Sequence, residues 1–362
     1  MDELSRSVDD VRADIDAIDS ELVALLNRRT ELAQEIGRVK GTEGQPFFTP
    51  EREHAIYRRL REQVGGALAP ERLEAVFREI ISASRAAEQV LKIGYWGPEG
   101  TFSHSASLQT FGRSAHYIPF DSISEVFAAV ERRELNYGVV PVENSAAGIV
   151  PETLDAFPQT QVKICAENTI PIAHHLAGHA KDLAAVTKVY AGPQPAAQCK
   201  RWLRANLPNA MVVDAAPTAR AAELAAQHPD SAAIVNRLCA ELRGLPYLAE
   251  HIEDEPNNRT RFLVIGFNEP KRTGQDKTSL MFSLRNEPGE LYHALGAFMA
   301  VSVNLTMIES RPTPRTRSAY TFFIDAEGHY TDEALESAMK SLRERALDVT
   351  VLGSYPVAPG AR

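Results

Sequence analysis

Cysteine is scarce: Cys165, Cys199 and Cys239 are the only three, far apart and without CxxC spacing. That excludes a disulfide framework and fits a reducing cytosol. No apolar run approaches the ~20 residues that a bilayer span needs, and the first residues are acidic and polar, unlike a basic-then-apolar leader. Basic charge is also short. Lys+Arg 39 against Asp+Glu 48 leaves a net charge of −9, which argues against a nucleic-acid partner. There is no GxGxxG and no Walker lysine, so no nucleotide cofactor is expected. His174, His175 and His179 cluster without HExxH logic or a carboxylate at ligand spacing, so no metal is expected either. What remains is 362 residues, enough for two or three domains.

The N-terminal segment from about Leu4 to Lys40 has no internal proline. At ~100° per residue, Leu22, Leu25, Leu26, Leu32, Ala33, Ile36 and Val39 fall in one apolar arc, and Arg29 and Lys40 sit in its middle. Turning two cations into a core costs several kcal/mol unless anions meet them there, on the order set by ion desolvation. A bound anionic ligand and a satisfied buried ion pair both fit the pattern. A second helix between Leu73 and Leu91 repeats it, with Ser84 and Glu88 at i and i+4 within the apolar face of Leu73, Val76, Phe77, Ile80, Ile81 and Ala87. The first helix would run ~50 Å, too long for one small domain to cover, so a partner chain is expected. Arg12 lies roughly 25 Å along the axis from Arg29 and can face the same ligand only from an antiparallel copy.

These residues, Val11-Arg12 to Lys40, Pro46 to Glu53 and Ser84 to Glu88, resemble the all-helical chorismate mutases over about the first ninety residues. The resemblance implies an intertwined homodimer, or a higher homo-oligomer, that binds chorismate. Arg29 and Lys40 would meet one carboxylate and the ether oxygen, and Arg12 of the other chain the second carboxylate. Thr49, Arg52 and Glu53 would line the hydroxyl end, and Ser84 and Glu88 would close the site. Such a rearrangement needs the dianion held in its reactive conformer and charge on the ether oxygen stabilised. Thr49 stands where an Asp is often found, and Glu88 where a Gln donates to the ether oxygen. Glu88 donates only when protonated, so mutase activity is expected to fall with rising pH.

After Leu91 the pattern changes to short β-branched runs alternating with helical ones. Ile93–Tyr95, Tyr137–Val142, Val162–Cys165, Val186–Tyr190, Met211–Val213, Ala232–Val235 and Phe262–Phe267 read as strands. Ser124–Arg133, Ala196–Asn206, Ala219–Gln227 and Arg237–Glu241 read as helices. Gly97, Pro98 and Gly100 place Thr101 and Ser103 at a helix start, where backbone N–H groups can hold an anion.

Three loops, Gly97-Pro98-Glu99-Gly100-Thr101-Phe102-Ser103, Pro141-Val142-Glu143-Asn144-Ser145 with Gly148, and Asn257-Asn258-Arg259-Thr260-Arg261-Phe262, together resemble prephenate dehydratases. The resemblance implies two α/β lobes flanking a cleft for prephenate. Thr260 matches the hydroxyl on which the reaction depends, a hydrogen-bond donor or proton relay to the leaving oxygen. Glu143, Asn144 and Ser145 would position the ring, with Thr101, Ser103 and Arg261 as carboxylate contacts and Phe262 as a further substrate-binding residue. His174 matches a histidine of the family's Pro-Ile-x-His segment, where a hinge or cleft-wall role and a catalytic one are both open. Gly192 replaces the histidine that often precedes Pro193-Gln194.

Glu269 to Lys277 reads as a polar linker. Beyond it Ser279–Leu284, Tyr292–Ala300, Leu305–Glu309, Tyr320–Ile324, Asp332–Arg345 and Val349–Leu352 give strand, helix, strand, strand, helix, strand, a ferredoxin-like order. Pro288-Gly289-Glu290-Leu291 and Glu309-Ser310-Arg311-Pro312 resemble the effector loops of regulatory ACT domains. The resemblance implies L-phenylalanine as a feedback inhibitor, and Glu290 replaces a frequent Ala. For Arg311, Arg315 and Arg317 a solvated turn and an effector interface are both open. The expectation is an all-α intertwined mutase domain (1–92), a two-lobed α/β dehydratase domain (93–268) and a ferredoxin-like α+β ACT domain (277–355), located in the cytoplasm. A binding protein or sensor with a helical dimerisation arm is the competing class. A mutase–dehydrogenase would need the dinucleotide fingerprint that is missing.

Overall fold

The computed structural model describes residues 6–63, 65–312 and 319–358. They fall into two compact units, one of residues 6–49, 57–91 and 111–116, the other of 50–56, 92–110 and 117–358.

Three long helices dominate the N-terminal part: α1 (Val8–Glu43), α2 (Pro50–Gln63) and α3 (Pro70–Glu88). A capping box starts α1: the Ser7 hydroxyl accepts from Asp10 N and the Asp10 carboxylate accepts from Ser7 N. Gly44 ends it in the left-handed conformation, φ 66°. The expected start near Leu4 lies outside the described residues. α2 was not foreseen as a helix, since its sequence is too polar to show an apolar period. Along α1 only Ala33 and Gly37 are buried. Leu22, Leu25, Leu26, Leu32, Ile36 and Val39, the arc marked in the sequence, are exposed in the single chain.

The second unit continues with β1 (Lys92–Trp96), α4 (Phe102–Phe111), β2 (His116–Phe120), α5 (Ile123–Glu131), β3 (Tyr137–Asn144), β4 (Gly148–Ile149), α6 (Pro151–Ala156) and β5 (Lys163–Pro171). Then come β6 (His175–Ala177), β7 (Lys188–Ala191), α7 (Pro193–Gln198), α8 (Lys200–Asn206), β8 (Met211–Asp214), α9 (Thr218–Gln227), β9 (Ser231–Val235), α10 (Arg237–Arg243), β10 (Tyr247–Ala249) and β11 (Arg259–Gly266). The expected helix 196–206 is two helices, interrupted at Cys199. Strands β2, β4, β6 and β10 escaped the sequence because each is short and lacks a β-branched run.

Two sheets result. The first runs β2-β1-β3-β11-β5 with β4 beside β3, the second β10-β6-β9-β7-β8. The chain crosses between them twice, after β5 and before β11, and the crossings bond to each other: Ile172 N donates to Asn258 O at 2.9 Å and Ile252 N to His174 O at 2.9 Å.

The C-terminal part is β12 (Asp276–Arg285), α11 (Glu290–Met299), β13 (Leu305–Pro312), β14 (Ala319–Glu327), α12 (Glu333–Arg343) and β15 (Asp348–Pro356), its antiparallel sheet ordered β13-β14-β12-β15. It packs on the back of the first sheet, where Val140, Val142, Leu263, Ile265, Phe323, Leu352 and Tyr355 share one core. Gly353 lies so close to the Ile164 carbonyl that a Cβ there would collide with it.

Candidate functional site

In the helical unit the two inward cations find partners on α3. Lys40 Nζ lies 3.1 Å from Glu88 Oε2 and donates to Phe47 O at 3.2 Å, and Arg29 donates to the Ser84 hydroxyl and to Ile80 O. Four residues picked from separate helical faces thus meet, Lys40 and Glu88 with side chains 16% and 11% exposed. Glu88 accepts here, whereas the sequence cast it as a donor. Arg12 stands exposed beside Asp9 at 3.4 Å. Thr49 precedes α2, on whose first turns Arg52 is exposed and Glu53 half-buried.

In the second unit a cavity of about 580 Å³ opens between the two sheets. The loop after β1 supplies Thr101, Phe102 and Ser103, the end of β3 Asn144, the crossing His174, and β11 Thr260 and Phe262. Register places Thr260 directly across from Asn144. Asn144 Oδ1 accepts from Ala146 N (3.0 Å) and Ala147 N (2.8 Å), which turns Nδ2 toward Thr260 Oγ1 at 2.8 Å. The threonine oxygen therefore accepts, and its own proton is free to be donated elsewhere.

Other expected residues are placed differently. Ser145 clamps two loops, donating to Asn258 Oδ1 at 3.2 Å and accepting from Arg259 N at 2.9 Å. Thr101 caps α4, accepting from His104 N and donating to Trp96 O at 3.1 Å, so its hydroxyl is spent on the fold. Glu143 pairs across from Arg261, one residue out of phase with Asn144 and Thr260, and neither lines the cavity. The strand's period of two turns them away. Arg261 is held instead by Glu167, Asp325 and Tyr355.

Gln198, which no motif in the sequence marks, also lines the cleft. Its Oε1 lies 2.6 Å from His174 Nε2. Burial, opposed by this bond and by Glu253, pulls His174 below the ordinary imidazole value, favouring the neutral ring. Only a fold that brings residues 174 and 198 together reveals the pair. Gly192 opens α7 at the cleft wall beside Pro193 and Gln194.

No Lys, Arg, Asp or Glu stands among the described residues lining this cavity. The positive ends of α4 and α9 face it instead, through Phe102 and Ser103 and through Thr218. Such ends, with their unpaired N–H groups, suit an anion without placing a full charge against it.

The prephenate dehydratase family matches residues 93–270 and the chorismate mutase type II family residues 11–89. A bifunctional chorismate mutase/prephenate dehydratase of Aquifex aeolicus is 43% identical over 96% of this chain and 98% of its own. The chain belongs to the bifunctional chorismate mutase/prephenate dehydratases. Within this family the helical unit corresponds to the mutase and the cleft to the dehydratase. A prephenate dehydratase of Arthrobacter aurescens, solved with L-Phe, is 35% identical with TM-score 0.68, covering 74% of this chain and 90% of that one. A structure described as a novel type of quorum quenching acylase, GqqA, is 29% identical with TM-score 0.69, covering 75% of this chain and all of its own. Among the described residues, no helix is long and apolar enough to cross a membrane.

Proposed function

We propose that the chain makes phenylpyruvate from chorismate in two steps within phenylalanine biosynthesis, under feedback inhibition by L-phenylalanine. In the first, Arg29 and Lys40 hold chorismate's carboxylate and ether oxygen, with Ser84 and Glu88 closing the site and Thr49, Arg52 and Glu53 at the hydroxyl end. The exposed arc of α1 supports a homodimer, in which the partner's copy covers the leucines and brings its Arg12 to the second carboxylate. Lys40 pairs with Glu88, and a bound dianion competes for that cation.

The observation that carries the second step is the Asn144–Thr260 bond in an uncharged cleft. Prephenate loses its ring carboxylate as carbon dioxide, and the electron pair released aromatises the ring and expels the 4-hydroxyl, which leaves as water after gaining a proton. Thr260 donates its free O–H to that oxygen, with Asn144 fixing the direction. Ser103, His174 and Phe262 shape the pocket around it. An acyl-transfer reading fits less well: such a nucleophile needs a base beside it, and the cleft partner of Thr260 is an amide.

For the C-terminal part, about residues 277–355, the strand order supports a ferredoxin-like ACT domain that follows the mutase (1–92) and dehydratase (93–268) domains. Gly289, φ 89°, opens α11, with Glu290 and Leu291 on its first turn. Register sets Arg285 opposite Ala319 and Pro312 opposite Tyr320. The turn of Gly289, Glu290 and Leu291 and the end of β13, Glu309, Ser310, Arg311 and Pro312, thus lie at one end of the sheet, where an amino acid can meet both; the second segment, expected as a loop, continues the strand because it pairs with β14. Arg315 and Arg317 lie outside the described residues. The cytoplasm is the expected location. Purified protein given chorismate and no cofactor should produce phenylpyruvate, less of it when phenylalanine is added. Accumulation of prephenate alone would refute the second step.

A further inference from the structure

We propose that Arg261 is a positioning residue for dehydration, anchoring β11 from its far face so that Thr260 stays aligned, and that the C-terminal part supplies two of the three groups of that anchor. The two residues are one peptide apart and point to opposite faces of the strand. Arg261 uses all three guanidinium nitrogens on three different strands: Nε lies 2.7 Å from Glu167 Oε2 on β5, Nη1 2.6 Å from Asp325 Oδ2 on β14, and Nη2 3.0 Å from Tyr355 Oη on β15.

These groups are themselves tied. Lys277 Nζ sits 3.0 Å from Glu167 Oε2, Ala358 N donates to Glu167 Oε1 at 3.1 Å, and the Ser279 hydroxyl lies 2.5 Å from Asp325 Oδ1 and 2.6 Å from Tyr355 Oη. The side chains of Glu167 and Asp325 are 0% and 1% exposed, those of Lys277 and Arg261 10% and 11%. Two cations balance two anions in a closed space, and none of the four lines the cleft cavity. Lys277 and Ser279 on β12, Asp325 on β14 and Tyr355 on β15 all belong to the C-terminal sheet, which takes in the last two residues of the expected linker.

A local irregularity explains why an anchor is needed at this place. The pairing of β11 with β3 slips between Arg261 and Phe262 while that with β5 stays in register there, so the ladder is interrupted on the side that carries Asn144, beside the reacting group. The Thr260 hydroxyl must nevertheless meet both Asn144 and the leaving oxygen. Fixing residue 261 at the slip by two hydrogen bonds and an ion pair restrains the strand on that side, and an error of the order of 1 Å in such a group costs about a hundredfold in rate.

The test uses the full-length enzyme, with dehydratase kinetics on prephenate and mutase kinetics on chorismate measured in the same preparations of Arg261→Met, Arg261→Lys, Asp325→Asn and Tyr355→Phe. Positioning predicts a dehydratase kcat about tenfold lower in Arg261→Met with KM within about twofold, partial recovery in Arg261→Lys, smaller kcat losses in the other two, and unchanged mutase rates. A raised KM at unchanged kcat would mean that Arg261 binds substrate, and would overturn the proposal. So would an unchanged kcat in variants that stay folded. If Arg261→Met loses mutase activity too, it has failed to fold, and Tyr355→Phe and Asp325→Asn decide by the same kcat and KM criteria. Parent enzyme without dehydratase activity would instead sink the functional reading on which this proposal rests.

Discussion

The helical unit and the two-lobed cleft meet doubly charged acids of nearly the same size, yet they are built on opposite electrostatic plans. On α1, Arg29 and Lys40 turn inward toward Ser84 and Glu88; in the cleft no charged carboxylate or ammonium group lines the described wall. The chemistry accounts for the difference. A rearrangement keeps both carboxylates and builds more negative charge on an ether oxygen, so full cations stabilise the transition state more than the ground state. Decarboxylative dehydration must release one carboxylate as neutral carbon dioxide. A cation against that group would hold the reactant more firmly than the transition state and slow the step. Helix N-termini and amides bind an anion more gently.

Swapping the two losses is the strongest way to break this comparison. Arg29→Ala should lower the mutase rate by roughly 10²–10³-fold while leaving dehydration of supplied prephenate intact, and Thr260→Ala should do the reverse by about 10²-fold. Steady-state assays on each substrate decide, and a full dehydratase rate in Thr260→Ala would remove its assigned role. Of similar size is the effect on acid sensitivity. Burial raises the Glu167 carboxyl, but Arg261 and Lys277 outweigh it and hold the group below the ordinary value of 4.5. Stability from this group is complete above that value and lost as pH falls through the lower, folded one. Glu167→Gln should cost about 3–5 kcal/mol at neutral pH, as removal of one partner from a buried charge cluster does, and should blunt the acid transition in thermal melts.

A smaller effect sharpens the electrostatic argument itself. Gln194 stands exposed at the cleft wall, so Gln194→Lys adds a cation without disturbing the core. The expected result is a prephenate KM a few-fold lower together with a lower kcat, about 1 kcal/mol in each; a higher kcat would refute the plan. The smallest effect belongs to the surface. Arg311 grips Asp155 on α6 through Nε at 2.9 Å and Nη2 at 2.6 Å, and Arg311→Ala should change stability by less than about 1 kcal/mol, as exposed pairs do, read as a shift in melting temperature.

The three-part order of the chain was legible in its periodicities. The inward cations of α1, the α/β alternation after Leu91 and the β-α-β-β-α-β order beyond the linker all follow from spacing, and the structure has each of them. Boundaries were less legible: α2 hid in a polar stretch, and the helix expected across Cys199 is two. At the sites, the motif Thr260-Arg261-Phe262 marked the right segment but could not say which of its neighbours faces the cleft.

Local rules, the apolar period and residue type, need only the chain, and they settled where the strongly periodic helices and the β-branched strands lie and that Arg29 and Lys40 face inward. The direction of Arg261, the pairing of His174 with Gln198 and the closure of Lys40 on Glu88 were decided by tertiary structure. Each depends on strand phase or on residues 24 to 94 positions apart, and burial of a charge is satisfied only where folding brings its partner.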